Sequence, residues 1–211
     1  MAQKRLKRAY SVQNILDKKY TLLEWGEPWV EAFGNPENKG VWFIWGQSAS
    51  GKNALIFQMI KEFSRFDRII MKDMEESTAH TVRLAFETFN MIKVSKKLIW
   101  APDETMEEFD ERLSAHKAPR VAIINSLQYT GWTWADYLAF IKKHEEKLIV
   151  ITSQADGKKP DGRLAKRIMY DASQKIFVEG FRAYSKGRYI GPKGYLEIWK
   201  EGAAHYHGTE E

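Results

Sequence analysis

The chain has 211 residues, 33 Lys+Arg against 28 Asp+Glu, no cysteine and a formal net charge of +5. That length suits one domain with a full α/β core, and the lack of cysteine excludes disulfides, thiolate metal sites, cysteine nucleophiles and cysteine lipidation. A hydrophobic fraction of 44% with 13% aromatics argues for a globular fold; no apolar run nears the roughly 18 residues of a spanning helix and nothing resembles a secretory h-region, so a cytoplasmic protein with no membrane contact is expected.

Residues 1–10 read as a basic flexible arm. Lys4, Arg5, Lys7 and Arg8 carry most of the net charge, as a solvated terminus or as a track along nucleic-acid phosphates. Residues 11–40 form a lead-in segment, with a short helix over 11–18 and Gly/Pro punctuation at 26–28 and 34–36. From residue 41 to 211 short apolar runs alternate with amphipathic stretches. The runs 41–45, 68–74, 97–100, 121–125 and 147–152 are short and rich in β-branched or aromatic residues, as buried strands are. Between them, Leu55, Ile56, Met59, Ile60 and Phe63 share a helical face. Met106, Phe109 and Leu113 do likewise behind a Thr105/Glu108 capping box, and Thr133 with Asp136 opens a third helix. Such alternation predicts a mostly parallel sheet covered on both faces. The runs 176–184 and 195–200 predict two strands joined by a Gly-rich turn, an antiparallel hairpin at the carboxyl end.

Gly46-Gln47-Ser48-Ala49-Ser50-Gly51-Lys52-Asn53 has the form GxxxxGK after an apolar strand and before an amphipathic helix, the context a phosphate loop requires. Gly46 and Gly51 let the backbone curl, and Gln47, Ser48, Ala49, Ser50 and Gly51 supply amides. Lys52 supplies a mobile cation, and the helix start adds its positive dipole end. Asn53 stands where a hydroxyl residue usually ligates magnesium. The competing reading is an ordinary βα turn with two glycines.

With these motifs in order, the chain resembles the RecA-like P-loop ATPases over about residues 42–199. It is most similar to the branch of RadA-type repair ATPases and hexameric replicative helicases, and to the small single-domain ATP-binding proteins of phages and mobile elements. The resemblance implies a RecA-like P-loop NTPase fold, ATP and magnesium as ligands, and a homo-oligomer acting on single- or double-stranded DNA in recombination, repair or replication. It maps the water-polarising carboxylate to Glu75, within Asp73-Met74-Glu75-Glu76-Ser77, and the γ-phosphate sensor to Gln154. It maps the magnesium positions to Asn53 and Asn125, both asparagine here, with Asp73 as a substitute acid. Lys158, Lys159, Arg163, Lys166 and Arg167 fall where related loops face nucleic acid, or they form a solvated face. Lys186-Gly187-Arg188 matches an element whose cations reach a neighbouring subunit's γ-phosphate; the bland reading is a basic turn.

Two rival functions stay open. One is a non-hydrolysing ATP-binding scaffold, motivated by Asn53 and Asn125; the other is a small-molecule P-loop kinase, against which stands the missing Arg-rich lid. His205 and His207 make no metal pattern with His80, His116 and His144. The tryptophans are expected in core and edge packing, with Tyr129 and Trp132 as the best base-stacking candidates.

Overall fold

The computed structural model describes residues 9–208; the basic cluster Lys4, Arg5, Lys7 and Arg8 lies outside them. One sheet organises the chain, in the order β3-β2-β4-β5-β1-β7-β8-β9 with β6 paired to β5. Its parallel part comprises β1 (Gly40–Gly46), β2 (Ile69–Asp73), β3 (Leu98–Trp100), β4 (Val121–Asn125), β5 (Leu148–Asp156) and β7 (Gln174–Glu179). β8 (Arg182–Ser185) and β9 (Tyr195–Glu197) extend it antiparallel. The expected mixed sheet is the observed one.

Alternation along β1 divides the core. Trp42 and Ile44 face one side, while Val41, Phe43 and Trp45 face the other, as the two-residue strand period dictates. On the first side lies α3 (Lys52–Phe63), burying Leu55, Ile56, Met59, Ile60 and Phe63. On the second lie α5 (Met106–Ser114), α6 (Trp134–Lys143) and α7 (Arg163–Asp171), represented by Phe109, Tyr137, Phe140 and Ile168. The capping boxes at Thr105/Glu108 and Thr133/Asp136 both form.

The lead-in is partly core. α1 (Val12–Leu16), capped by Ser11, buries nothing, but Leu23, Trp25, Ala32 and Phe33 are buried against α3 and β1. Trp25 stacks on Trp29 at 5.4 Å, meets Trp42 edge-on at 5.5 Å, and donates its indole N–H to the Gly34 carbonyl at 2.7 Å. Residues 29–33 form a further helix, α2 (Trp29–Phe33).

Two expectations need correction. The run 176–184 is two strands, because the chain reverses at Gly180 and Phe181, at φ 52° and 59°, with Glu179 paired to Arg182. Two positive φ angles in a two-residue loop suit the strand twist, but a phenylalanine there is rare, so the pattern hid the turn. The run 195–200 shortens to β9, and α8 (Lys200–His207) starts at its last residue. Residues 156–162 form a hairpin: Asp156 pairs with Lys159 across Gly157 (φ 59°), and β6 (Lys159–Pro160) leads into α7.

Candidate functional site

The carboxyl ends of β1, β2, β4 and β5 converge on one edge of the sheet, where open α/β folds place ligands. β1 ends at Gly46, whose position admits no side chain: a Cβ there would lie 2.3 Å from the Val178 carbonyl oxygen. The loop then curls through Ala49 at φ 58° and Gly51 at φ 104°, and Lys52 opens α3. The Lys52 ammonium turns back into the loop, donating to the carbonyls of Gly46 and Gln47 at 2.7 Å each. Burial lowers its pKa, and the nearby Glu75 carboxylate works in the opposite direction. A half-buried cation over a curled backbone at a helix N-terminus is suited to receiving a phosphate chain.

A cavity of about 510 Å³ opens here, lined by Ser48, Ala49, Lys52, Asn53, Glu75, Gln154 and Phe181 among others. The phosphate loop, Glu75 and Gln154 are thus brought together as the sequence predicted. Burial and then the charge of Asp73 raise the Glu75 pKa, while a hydrogen bond with Ser126 and the charge of Lys52 pull it down. A carboxyl raised toward neutrality and aimed at a phosphate cavity is suited to taking a proton from water. A second cavity of about 620 Å³ lies between α4 (His80–Thr88) and β3, lined by Val82, Phe86, Met91 and Trp100. It is apolar and lacks the loop, the lysine and the paired polar groups.

The magnesium-linked residues are differently placed from one another. Asn53 lines the cavity and its side-chain N–H₂ donates to Glu76 Oε1 at 3.4 Å. Asn125 is buried: its Nδ2 donates to Asp73 Oδ2 at 3.2 Å, and its Oδ1 accepts from the Thr152 hydroxyl. Asp73 is also engaged, its Oδ1 accepting the backbone N–H groups of Glu75 at 2.9 Å and Glu76 at 3.2 Å. Among the described residues no group of three or more His, Cys, Asp and Glu is arranged to hold a metal. A magnesium ion beside the loop would find oxygen donors in the Asn53 side chain, once turned from Glu76, and in the Glu76 carboxylate.

Lys186 and Arg188 lie elsewhere. Their backbone N–H groups bond to the carbonyls of Lys175 and Ser173, at 2.7 and 3.1 Å, at the start of β7. The phosphate loop stands at the other end of that strand, where Gly46 pairs with Val178. Both side chains are exposed, the Lys186 ammonium lies 5.7 Å from the Tyr184 ring, and neither residue lines the loop cavity of its own chain. Lys158 and Lys159 project from the β5–β6 hairpin just beyond Gln154, while Arg163, Lys166 and Arg167 are exposed on α7. Arg167 covers the Trp134 ring at 4.2 Å. Tyr129 is exposed; Trp132 packs on Phe140 at 4.9 Å and belongs to the core edge.

Phe181 is the site residue that sequence reasoning missed. Its backbone N–H donates to the Ser50 carbonyl at 3.1 Å, and its carbonyl accepts from Ile198 at 2.8 Å. Its ring edge lies 3.1 Å from where a Cβ on Gly51 would stand, and meets Trp199 edge-on at 5.0 Å. The only local signal was a glycine before an aromatic residue inside an apolar run.

No protein-family model matches this chain, and no curated protein sequence matches it. Among solved structures it is similar to the flagellar accessory protein FlaH of Methanocaldococcus jannaschii, with a TM-score of 0.62 and 15% identity over 85% of this chain and 92% of that one. It is also similar to a KaiC-like protein of Pyrococcus horikoshii, with a TM-score of 0.58 and 14% identity over 80% of this chain and 94% of that one. No helix among the described residues is long and apolar enough to cross a membrane. The fold is the RecA-like α/β fold, a mostly parallel sheet finished by antiparallel strands.

Proposed function

We propose that the chain binds ATP with magnesium at the phosphate loop and hydrolyses it between neighbouring copies of a homo-oligomer, in the service of DNA recombination, repair or replication. The RadA and replicative-helicase branch, with its phage and mobile-element relatives, is the proposed home. The observation that carries the reading is the convergence of Lys52, Glu75 and Gln154 on one cavity at the strand ends. Lys52, the loop amides and the α3 N-terminus hold the phosphates. Magnesium, when bound, neutralises charge on the phosphate oxygens. Glu75 accepts the proton of a water attacking the terminal phosphorus, and ADP is the leaving group. Gln154 flanks the same end. Lys186 and Arg188 of an adjacent copy meet the developing charge, a task suited to the planar guanidinium fork.

The test is ATP turnover with and without magnesium. Glu75→Gln is expected to lower it by about 10²- to 10⁴-fold while ATP still binds; an unchanged rate contradicts the role. A specific observation favours the scaffold reading as second: the Asn125 amide is committed to Asp73 and Thr152, so β4 ends without an acid. Binding and assembly with no turnover in the wild type would select it.

Phe181 takes the nucleobase end. Glu75 and Gln154 flank one end of the loop, and Phe181, beyond β7, flanks the other. Base–aromatic stacking contributes about 1–3 kcal/mol. Phe181→Ala is therefore expected to weaken ATP binding by roughly 5- to 150-fold and leave inorganic tripolyphosphate binding unchanged, as titration calorimetry would read. The exposed cations Lys158, Lys159, Arg163, Lys166 and Arg167 are the proposed DNA surface, with affinity that falls steeply with salt.

A further inference from the structure

We propose that Asn125 is a positioning residue: its side-chain amide holds Asp73 beneath the turn that carries Glu75 and ties that turn to the strand that carries Gln154. The function given to Glu75 rests on the ATPase reading above, whereas the hydrogen-bonded arrangement does not.

Three neighbouring strands meet at this point. Asp73 ends β2 and Asn125 ends β4 directly opposite it, in register. Thr152 follows Ile151 on β5, which pairs with Ile124 of β4. All three side chains are buried, at 3%, 2% and 0% exposure. The Thr152 hydroxyl donates to Asn125 Oδ1, Asn125 Nδ2 donates to Asp73 Oδ2, and Asp73 Oδ1 accepts the N–H of Glu75 and of Glu76. Every link has one donor and one acceptor. Position 125 must accept on one side and donate on the other, which an amide does and a carboxylate does not.

The asparagine thus answers to Asp73. An aspartate at position 125 would set two buried carboxylates face to face across the 3.2 Å now spanned by a hydrogen bond, and like charges that close do not both ionise. The acid has in effect moved one strand over, from the end of β4 to the end of β2. There it caps the Glu75–Glu76 turn.

A second, partly exposed route runs beside the first. Gln128 Oε1 accepts from the Ser126 hydroxyl at 2.8 Å and from the Gln154 N–H at 3.3 Å, and Gln128 Nε2 donates to the Ser153 hydroxyl at 2.9 Å. The Ser126 hydroxyl also faces the Glu75 carboxylate, and its single proton serves either Gln128 or Glu75. Ser126 and Gln128 thus lie between Glu75 and the backbone of Gln154, which flank the same end of the cavity. A satisfied buried network is rigid, and a half-satisfied one is costly.

The reciprocal exchange tests this. In Asp73→Asn combined with Asn125→Asp, the amide at position 73 still accepts from Glu75 and Glu76 and now donates to position 125, whose carboxylate accepts from Thr152. Every bond is reproduced. The readouts are hydrogen exchange of the Glu75 and Glu76 amides, and kcat against KM for ATP. Asn125→Asp alone is expected to speed that exchange by about 10-fold or more and to lower kcat by roughly 10- to 100-fold with KM nearly constant. The double variant is expected to recover both. If Asn125→Asp does not fold, a folded double variant with slow Glu75 exchange supports the proposal, and an unfolded one overturns it. Unchanged exchange and kcat in Asn125→Asp, or no recovery in the double variant, also overturns it. A wild-type protein that never hydrolyses ATP defeats the ATPase reading alone, since the amide exchange rates still decide the positioning.

Discussion

Lys52→Ala is expected to weaken ATP binding by about 10- to 150-fold, since a hydrogen bond to a charged group contributes about 1.5–3 kcal/mol. In the free protein the ammonium rests on the Gly46 and Gln47 carbonyls, so its charge is already delivered into the loop. Its burial lowers its pKa, the mark of a desolvated cation that an arriving phosphate chain would restore to full stability. The side chain is not part of either apolar cluster, so the melting temperature should stay near that of the wild type. Calorimetric titration with ATP checks the affinity, and thermal unfolding checks the fold. Wild-type affinity in this variant would remove the loop from nucleotide binding.

Trp25→Ala is expected to destabilise the whole domain by about 3–5 kcal/mol, the usual range for truncating a buried aromatic residue. Trp25 is 4% exposed and touches Trp29, Phe33, Trp42 and Phe63. Its indole N–H bonds to Gly34, so truncation also leaves that carbonyl without its donor. Because Trp42 lies on β1, the loss propagates to the strand that ends in the phosphate loop. Chemical denaturation should show one cooperative transition at lower denaturant, not a separate early loss of residues 20–39. Two transitions would mean that the lead-in folds apart from the sheet.

Legibility in the sequence followed the range of the interactions involved. β1, β4 and β5 were readable because their burial on both faces writes a local apolar run. The phosphate loop was readable for a similar reason: Gly46, Gly51 and Lys52 act through their own backbone, within one turn of chain. Trp25 was not, because its partners on β1 and α3 are brought to it only by folding. The Gly180–Phe181 turn was hidden because its local signal, an aromatic residue at positive φ, runs against the statistics of strands. Asn125 was the most misleading position. Along the chain it is only a missing acid; across the sheet it is the donor that Asp73 requires. Cross-strand pairing decides its chemistry, and one sequence does not display that pairing.

The central claim is that ATP is turned over at a boundary between copies, with Lys52 and Glu75 from one and Lys186 and Arg188 from the next. The placement of Lys186 and Arg188 at the far end of β7 from their own loop supports that arrangement. Mixing two inactive proteins tests it most directly: Glu75→Gln, which keeps its basic pair, and Arg188→Ala, which keeps its loop and carboxylate. Each alone is expected to show little ATP turnover. The account predicts that turnover reappears on mixing, because some boundaries then join an intact loop to an intact arginine. Full turnover by Arg188→Ala alone, or no recovery at any mixing ratio, would contradict it.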